Sequence, residues 1–131
     1  MINLNKTLHA GNLTRDPELR DTKSGTKVAS IAIAINRQWK DKDGNQQQET
    51  EFQDITAYGK QAETISQYFK KGDPIFVEGR LKTEKWEDKD GNPRSKKIII
   101  LENFKFFNMG KKKQEELKSV KQNWIVTGKQ R

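Results

Sequence analysis

The apolar residues of this chain recur mostly at every second position, and one segment departs from that spacing. Between residues 27 and 36, Ile31, Ile33 and Ile35 alternate with small or polar side chains. Alternation with a period of two is typical of a β-strand that turns one side to a core. The sequence therefore predicts a fold built mainly from strands.

Five segments have this strand character, and polar, turn-rich stretches separate them. They comprise residues 6–13, 27–36, 51–58, 74–83 and 96–107. The last contains an unbroken apolar run from Ile98 to Leu101, which indicates burial on both faces of the strand. The intervening polar stretches are predicted as a turn-rich connection and two hairpin loops, at residues 14–25, 40–50 and 84–94.

The segment at residues 59–71 has helical spacing instead. Ala62, Ile65 and Phe69 follow one another at i, i+3 and i+7, and Gly72 ends the pattern. The order is thus three strands, one helix and two strands. This order predicts an all-β, five-stranded Greek-key barrel of the OB-fold type, with the helix between strands 3 and 4. A mixed sheet packed on one helix is the alternative architecture.

A five-residue sequence, Asp-Lys-Asp-Gly-Asn, occurs twice and follows a tryptophan at the same offset each time. Trp39 precedes the copy at residues 41–45, and Trp86 precedes the copy at residues 88–92. A calcium loop is excluded, because glycine stands at the fourth position instead of the sixth and the twelfth position lacks glutamate. Favourable Asp-Gly turn chemistry explains the repeated residues but not the tryptophans. These are predicted to lie near the base of two protruding hairpin loops.

Both tryptophans have cationic neighbours, a combination that suits single-stranded nucleic acid. Flat rings stack on exposed bases, and cations follow the phosphates. The predicted stacking residues are Trp39, Phe52, Tyr58 and Trp86. The predicted phosphate contacts are Arg37, Lys40, Lys60, Lys71, Lys82 and Lys85. The alternatives are a place in the core for Phe52 and Tyr58, and a protein–protein contact for the two tryptophans.

Charge and composition narrow the class of function. A net charge of +8 favours a polyanionic partner, although a merely soluble basic surface has the same composition. The chain has no cysteine and one histidine, which excludes disulfides, thiolate zinc sites and multi-histidine metal sites. No phosphate loop or nucleophile motif is present, so the sequence predicts neither an enzyme nor a cofactor. We expect a cytoplasmic protein, since neither a signal-peptide pattern nor a membrane-spanning stretch is found.

Several motifs, taken in order, resemble the bacterial-type single-stranded DNA-binding protein family. They are Gly11-Asn12-Leu13, Arg15-Asp16-Pro17-Glu18, Thr50-Glu51-Phe52, Tyr58-Gly59-Lys60, Tyr68-Phe69-Lys70-Lys71-Gly72, Val77-Glu78-Gly79 and Lys85-Trp86. The resemblance covers residue 5 to about residue 107. It implies an OB-fold domain over residues 1–107 that assembles as a homotetramer and wraps single-stranded DNA. It also implies roles in replication, recombination and repair, in association with the nucleoid.

The resemblance also implies which residues contact DNA. The family's stacking positions correspond to Trp39, Phe52, Tyr58 and Trp86, and its phosphate-contacting lysines correspond to Lys42, Lys60, Lys71, Lys82 and Lys85. Asp54 and Glu84 stand where the family often has basic residues, which weakens the local positive field. Gln53 replaces a histidine that helps tetramer contacts. Thr7 and His9 lie in a first strand that is usually apolar.

Residues 108–131 differ in composition from the rest and are predicted to form a disordered tail. They contain seven Lys and Arg residues and two Glu residues. Bacterial relatives end in an acidic tail that recruits repair enzymes, so recruitment by that route is not expected here. The hypothesis is that this basic tail adds phosphate contacts. The alternative functions are an OB-fold accessory that bridges replication-restart proteins and an RNA-binding OB module.

Overall fold

In the computed structural model, which describes residues 1–107, the chain folds into six strands and one helix. The elements are β1 (Thr7–Leu13), β2 (Glu18–Asp21), β3 (Lys27–Lys40), β4 (Gln46–Tyr58), α1 (Lys60–Tyr68), β5 (Pro74–Glu87) and β6 (Pro93–Phe106). Strands are hydrogen-bonded in the order β1-β5-β6-β4-β3-β2, and β1 also pairs with β3. That pairing closes β1, β3, β4, β5 and β6 into a barrel. The predicted five-stranded barrel, with its helix between the third and fourth barrel strands, is confirmed.

The core of the barrel follows from the alternation seen in the sequence. On β3 and β4 the odd-numbered residues point inward, and α1 contributes Ala62 and Ile65 to the same cluster. The apolar run on β6 is buried throughout, as predicted. The helix is shorter than predicted, because the chain turns to an extended conformation at Phe69, which is itself 1% exposed. The cluster comprises Leu13, Ala29, Ile31, Ile33, Ile55, Ala57, Ala62, Ile65, Phe69, Ile75, Val77, Ile99, Leu101 and Phe104.

A bulge at Glu102 lets β6 fill the core on both sides of it. Glu78 of β5 pairs with Asn103 and Gly79 pairs with Leu101, which leaves Glu102 as an extra residue. Leu101 and Phe104, three positions apart, can therefore both face inward. The strands approach so closely here that a Cβ on Gly79 would lie 2.2 Å from the carbonyl oxygen of Ile100. Only glycine fits this position without a backbone shift.

Glu102 also ties the segment before β1 to the barrel. Its carboxylate lies 2.9 Å from Nζ of Lys6 and 3.7 Å from Nη1 of Arg80. The hydrogen bond from Lys6 lowers the pKa of Glu102 below its ordinary value. Beside this pair, the side chain of Asn5 bonds both the backbone N–H and the carbonyl of Leu81, at 3.0 and 2.8 Å. The segment before β1 is thereby attached to β5.

The two predicted hairpin loops are much shorter than the sequence suggested. Strands β3 and β4 continue to Lys40 and from Gln46, and strands β5 and β6 continue to Glu87 and from Pro93. Each turn holds only the five repeated residues. Trp39 and Trp86 lie two positions before these turns, near the tips of two strand arms. The outer parts of β3 and β4 form the first arm, and the outer parts of β5 and β6 form the second. Each tryptophan thus stands next to the base of its loop as predicted, but the predicted lengths of the loops, residues 40–50 and 84–94, are wrong. The outer parts of the arms have no core to face, so their sequences lack the apolar alternation that marks a strand.

A short strand, β2, occurs in the segment predicted as a turn-rich connection. Glu18–Asp21 pairs antiparallel with Lys27–Ser30 of β3. All four residues of β2 are exposed. A strand that is exposed on both faces needs no apolar side chains, so period-two spacing could not reveal it.

The predicted tail at residues 108–131 lies outside the described residues. Among residues 1–107, no helix is both long enough and apolar enough to cross a membrane.

Candidate nucleic-acid interface

Phe52 and Tyr58 lie on the outer face of the barrel. Ile55 and Ala57 of the same strand point into the core, so the even-numbered residues of β4 point outward. Phe52 is 69% exposed and Tyr58 is 41% exposed. The alternative that these two rings belong to the core is therefore wrong.

Trp86 faces outward on the same side of the sheet. Leu81 of β5 stands opposite the core residue Ile99, so Lys82, Glu84 and Trp86 have the opposite, outward orientation. The indole is 47% exposed. Because β6 lies between β5 and β4 in the sheet, Trp86 shares one continuous outer face with Phe52 and Tyr58. We call this surface the aromatic face.

A polar cleft runs across the aromatic face between the strands. Asp54 and Tyr58 of β4, Glu84 of β5 and Lys96 of β6 line it, together with side chains from β2 and β3. Nζ of Lys96 lies 3.1 Å from Oδ2 of Asp54, and Glu84 is the register partner of Lys96. The two acidic residues that depart from the family pattern thus flank one lysine. The positive charge of Lys96 partly offsets their negative charges. The cleft therefore carries charges of both signs and is not uniformly positive.

Trp39 lies on the opposite face of its strand arm from Phe52. Ile31 and Ile33 of β3 point inward, and the β3–β4 register runs without a bulge to Lys40. Odd-numbered Trp39 therefore keeps the inward orientation, and the strand arm presents it on the face that Phe52 does not occupy. The guanidinium carbon of Arg37 lies 4.6 Å from the centroid of the indole ring. The structure brings three of the four predicted stacking residues together and separates the fourth.

The two repeated sequences form the same turn. In the first, Oδ1 of Asp41 accepts the backbone N–H groups of Asp43 and Asn45, at 2.9 and 2.8 Å. In the second, Oδ1 of Asp88 accepts those of the two corresponding residues, at 3.0 and 2.9 Å. The central glycines have φ of 80° in both turns. The repeat in the sequence is thus a repeat in structure.

The same aspartates hold the residues that face the tryptophans across each arm. Gln47 is the register partner of Trp39, and its Nε2 donates to Oδ2 of Asp41 at 3.2 Å. Arg94 is the register partner of Trp86, and its Nε donates to Oδ2 of Asp88 at 3.0 Å. The hydrogen bonds from the backbone N–H groups of the asparagines at positions 45 and 92 contribute most to lowering the pKa of Asp41 and Asp88. Each ionised aspartate fixes the turn with one oxygen and a tryptophan's neighbour with the other.

The predicted phosphate contacts are all exposed, but they do not form one patch. Lys82 lies on the aromatic face opposite Ile98, whereas Lys85 has the other orientation and borders a groove with Trp86. Lys60 opens α1 two positions after Tyr58. The seven exposed residues are Arg37, Lys40, Lys42, Lys60, Lys71, Lys82 and Lys85.

Sequence reasoning missed cations that the structure places at the aromatic face. Arg94 and Lys96 have the same outward orientation as Ile98, since they precede it by four and two residues on β6. Arg15 and Arg20 line the cleft from the segment around β2. The alternation around Ile98 could have identified Arg94 and Lys96. Nothing in the sequence pattern placed Arg15 and Arg20 beside β4.

Residues 1–107 contain no group of three or more histidine, aspartate or glutamate side chains positioned to hold a metal ion.

Comparison with known proteins gives a consistent result. The family model of the Single-strand binding protein family matches residues 4–107. The chain is 45% identical over 104 residues to a single-stranded DNA-binding protein of Wolinella succinogenes, and the match covers 79% of this chain and 64% of that protein. It is 45% identical over 108 residues to one of Aquifex aeolicus, with 82% and 73% covered.

A solved structure is also similar. It is described as a Plasmodium falciparum SSB complex with ssDNA, and it has a TM-score of 0.77 and 27% sequence identity over 82% of this chain and 98% of that one. The matched region spans only 64% and 61% of the length of the relatives from Wolinella succinogenes and Helicobacter hepaticus.

Proposed function

The chain belongs to the Single-strand binding protein family, and from that premise we propose that it binds single-stranded DNA without sequence preference. Bases stack on the rings of the aromatic face and on Trp39, and the exposed lysines and arginines contact the phosphates. Stacking suits all four bases because each has a π-face. The proposed activity is binding, without a catalytic step.

The observation that carries this proposal is the exposure of three large rings on adjacent strands. Phe52 is 69% exposed, Trp86 47% and Tyr58 41%, although folding gains free energy by burying such rings. Their outward orientation follows from the alternation of side chains along each strand and does not depend on the conformation of one side chain. A row of exposed rings beside cations is what an extended strand of unpaired bases requires.

In this proposal the rings stack on the bases and the exposed cations contact the phosphates. Arg94 is held beside Trp86 by Asp88, and Lys96 lies in the cleft between the strands. Lys40 and Lys42 lie at the tip of the first arm, and Lys82 lies on the aromatic face. Phosphates drawn to these cations release counterions, so binding weakens as salt rises. The proposed phosphate contacts comprise Arg37, Lys40, Lys42, Lys60, Lys71, Lys82 and Lys85, and we add Arg94 and Lys96 to the proposal because of their position on β6.

The proposal includes assembly as a homotetramer. Strand β1 pairs with β5 over Thr7–Asn12, but its pairing with β3 is confined to Asn12 and Leu13. Within residues 1–107 the second edge of Thr7–Gly11 therefore has no strand partner. Such an edge is a template for pairing with another chain. Oγ1 of Thr7 and Nε2 of His9 are joined by a 2.7 Å hydrogen bond. The imidazole at this edge therefore has a hydrogen-bond partner within its own chain.

In the cell, such a protein protects single strands during replication, recombination and repair, at the nucleoid in the cytoplasm. Residues 108–131, outside the described part, belong to the proposal as a basic segment that adds phosphate contacts.

Quenching of tryptophan fluorescence by a long thymidine oligomer tests the proposed function. Strong quenching at low salt is expected, together with competition by unlabelled single-stranded DNA. A protein that mainly bridges other proteins would show no quenching. An RNA-binding protein would prefer a uridine oligomer over the thymidine oligomer, since recognition of RNA uses the 2′-hydroxyl.

A further inference from the structure

Arg37 covers one face of the indole of Trp39. The two residues are two positions apart on β3, so their side chains have the same orientation. The guanidinium carbon lies 4.6 Å from the ring centroid, within the range of a cation–π contact. A base and a guanidinium cannot occupy the same face of the ring, so this face is closed to DNA in the free protein.

Glu49 holds Arg37 over the ring. It is the register partner of Arg37 on β4, and its Oε1 lies 3.4 Å from Nη1 of the guanidinium. The neighbouring pair across the arm, Trp39 and Gln47, is fixed in turn by the hydrogen bond from Gln47 to Asp41. The indole therefore has Arg37 on one face, and its cross-strand neighbour is locked in place.

Trp86 has the same turn but no such cover. Among residues 1–107, Trp39 is the one tryptophan with a cation over its ring. The arginine nearest in register to Trp86 is Arg94, whose guanidinium is drawn to the turn residue Asp88. Trp86 is 47% exposed, whereas Trp39 is only partly exposed. The two arms thus present one open indole and one covered indole.

We propose that Arg37 and Glu49 form a removable cover on Trp39, which makes this ring a conditional stacking position. DNA that continues from the aromatic face around the first arm brings a phosphate near Arg37, which lies on the other side of that arm. The phosphate competes with Glu49 for the guanidinium, the guanidinium leaves the ring, and a base takes its place. Glu49 is thus a positioning residue that regulates Trp39 without contacting DNA. This inference rests on the proposed function, since it concerns how one of the stacking rings becomes available.

The contacts that hold the cover are weak, so the effect is modest. Both Arg37 and Glu49 are largely exposed, with 68% and 50% of their side-chain surface accessible. Exposed ion pairs and cation–π contacts each change an equilibrium by about twofold to fivefold. A cover of this strength can be displaced by a phosphate and still delay stacking.

The cover is tested first without DNA. In a background of Trp86→Phe and Trp124→Phe, Trp39 is the sole tryptophan, and acrylamide quenching reports access to its ring. Glu49→Gln and Arg37→Met should each raise the quenching constant. The matched control is Glu51→Gln, which removes the same charge from the same strand and the same face but stands opposite Ile35. It should leave quenching unchanged.

A double-mutant cycle then tests the coupling. Adding Glu49→Gln to Arg37→Met should produce no further increase in acrylamide quenching, because the cover is already gone. In a titration with a thymidine oligomer, Glu49→Gln should tighten the binding seen at Trp39 by about twofold to fivefold more than Glu51→Gln does.

The outcomes separate the inference from the proposed function. Unchanged acrylamide quenching in Glu49→Gln, or equal effects of Glu49→Gln and Glu51→Gln, overturns the cover. Failure of DNA to quench the unmodified protein overturns the proposed function instead, and the DNA-free measurement of the cover stands independently of that result.

Discussion

Asp88 and Arg94 are joined across the tip of the second arm by a 3.0 Å hydrogen bond from Nε of the guanidinium to Oδ2 of the carboxylate. The other carboxylate oxygen accepts two backbone N–H groups of the turn. One side chain therefore sets both the shape of the turn and the position of the residue opposite Trp86. The aspartate at the start of the first turn has the same two functions toward Gln47.

Replacing Asp88 with alanine should weaken DNA binding although Asp88 itself carries the wrong charge to contact a phosphate. The turn loses the carboxylate oxygen that accepts two of its backbone N–H groups, and Arg94 loses the partner that holds it beside Trp86. The control is Asp90→Ala, which removes an exposed carboxylate from the same turn. Removing either charge favours a polyanion, so a lower affinity in Asp88→Ala than in Asp90→Ala supports the positioning role. Equal affinities of the two variants would contradict it.

Truncation of a ring on the aromatic face should reduce affinity. Stacking contributes about 1–3 kcal/mol per base, a value taken from single-stranded DNA-binding proteins in general. Trp86→Ala should therefore raise the Kd for a thymidine oligomer, and Trp86→Phe should restore part of the loss. Leu19→Ala is the matched control, because Leu19 is an exposed apolar residue, 44% accessible, on β2, and it pairs with the core residue Ala29, not with a residue of the outer face. If Leu19→Ala weakens binding as much as Trp86→Ala, the aromatic face is not the stacking surface.

Acid should destabilise the fold partly through the two turns. The pKa of Asp41 and of Asp88 lies below the ordinary value of 3.8, chiefly because the backbone N–H of Asn45 or Asn92 donates to the carboxylate. The unfolded chain then binds more protons than the folded one below about pH 4, so this stabilisation is lost as the pH falls through that range. Thermal melts at decreasing pH should show a smaller acid-induced drop in Tm for Asp41→Asn with Asp88→Asn than for the unmodified protein. The pair Asp43→Asn and Asp90→Asn, whose carboxylates accept no hydrogen bond shown among residues 1–107, is the control.

Gly79→Ala should destabilise the barrel strongly. The added Cβ would stand 2.2 Å from the carbonyl oxygen of Ile100, and backbone cannot move aside as a side chain can. Overpacking of this kind costs about 3 kcal/mol. The comparison is Gly25→Ala, where φ is 84° but no atom lies within 4 Å of the new Cβ, and where the strain is about 1 kcal/mol. Chemical denaturation measures both, and a Gly79→Ala variant as stable as Gly25→Ala would show that the strands separate easily at the bulge.

Deleting residues 110–131 should flatten the salt dependence of DNA binding. The slope of log K against log salt becomes shallower by about 0.7 for every phosphate of a single strand that the protein no longer neutralises. The matched variant keeps the chain length and replaces Lys111, Lys112 and Lys113 with glutamine. If the salt slope is unchanged in both the deletion variant and the glutamine variant, residues 110–131 do not contact phosphates.

The barrel could be predicted because the alternation of Ile31, Ile33 and Ile35 indicates a strand, and the spacing of Ala62 and Ile65 indicates the single helix. The length of the arms could not be predicted. Apart from Trp39, residues 37–40 and 46–50 are polar on both faces, and only their pairing with each other, seen in the register, makes them strands. Strand β2 was missed for the same reason.

The sequence identified the aromatic residues of the candidate interface but not how they are arranged on the barrel. Composition and position identified Trp39 and Trp86, and strand parity grouped Phe52 with Tyr58. That Trp39 belongs to the other face depends on an unbroken register over the whole arm, which turn residues alone do not reveal. The contact between Lys96 and Asp54 joins residues 42 positions apart and follows from the parallel pairing of β4 with β6.

The thirteen successive pairs from Val28–Tyr58 to Lys40–Gln46 give the first arm a strict odd–even phase. Trp39 follows Ile35 by four positions, an even number, and this alone puts the indole on its side of the ribbon. Inserting or deleting a single residue in that stretch would exchange Trp39 and Arg37 for Lys40 and Gln38 on that side, whereas a two-residue change would only lengthen or shorten the arm. Natural variation in this arm should therefore proceed in steps of two residues per strand.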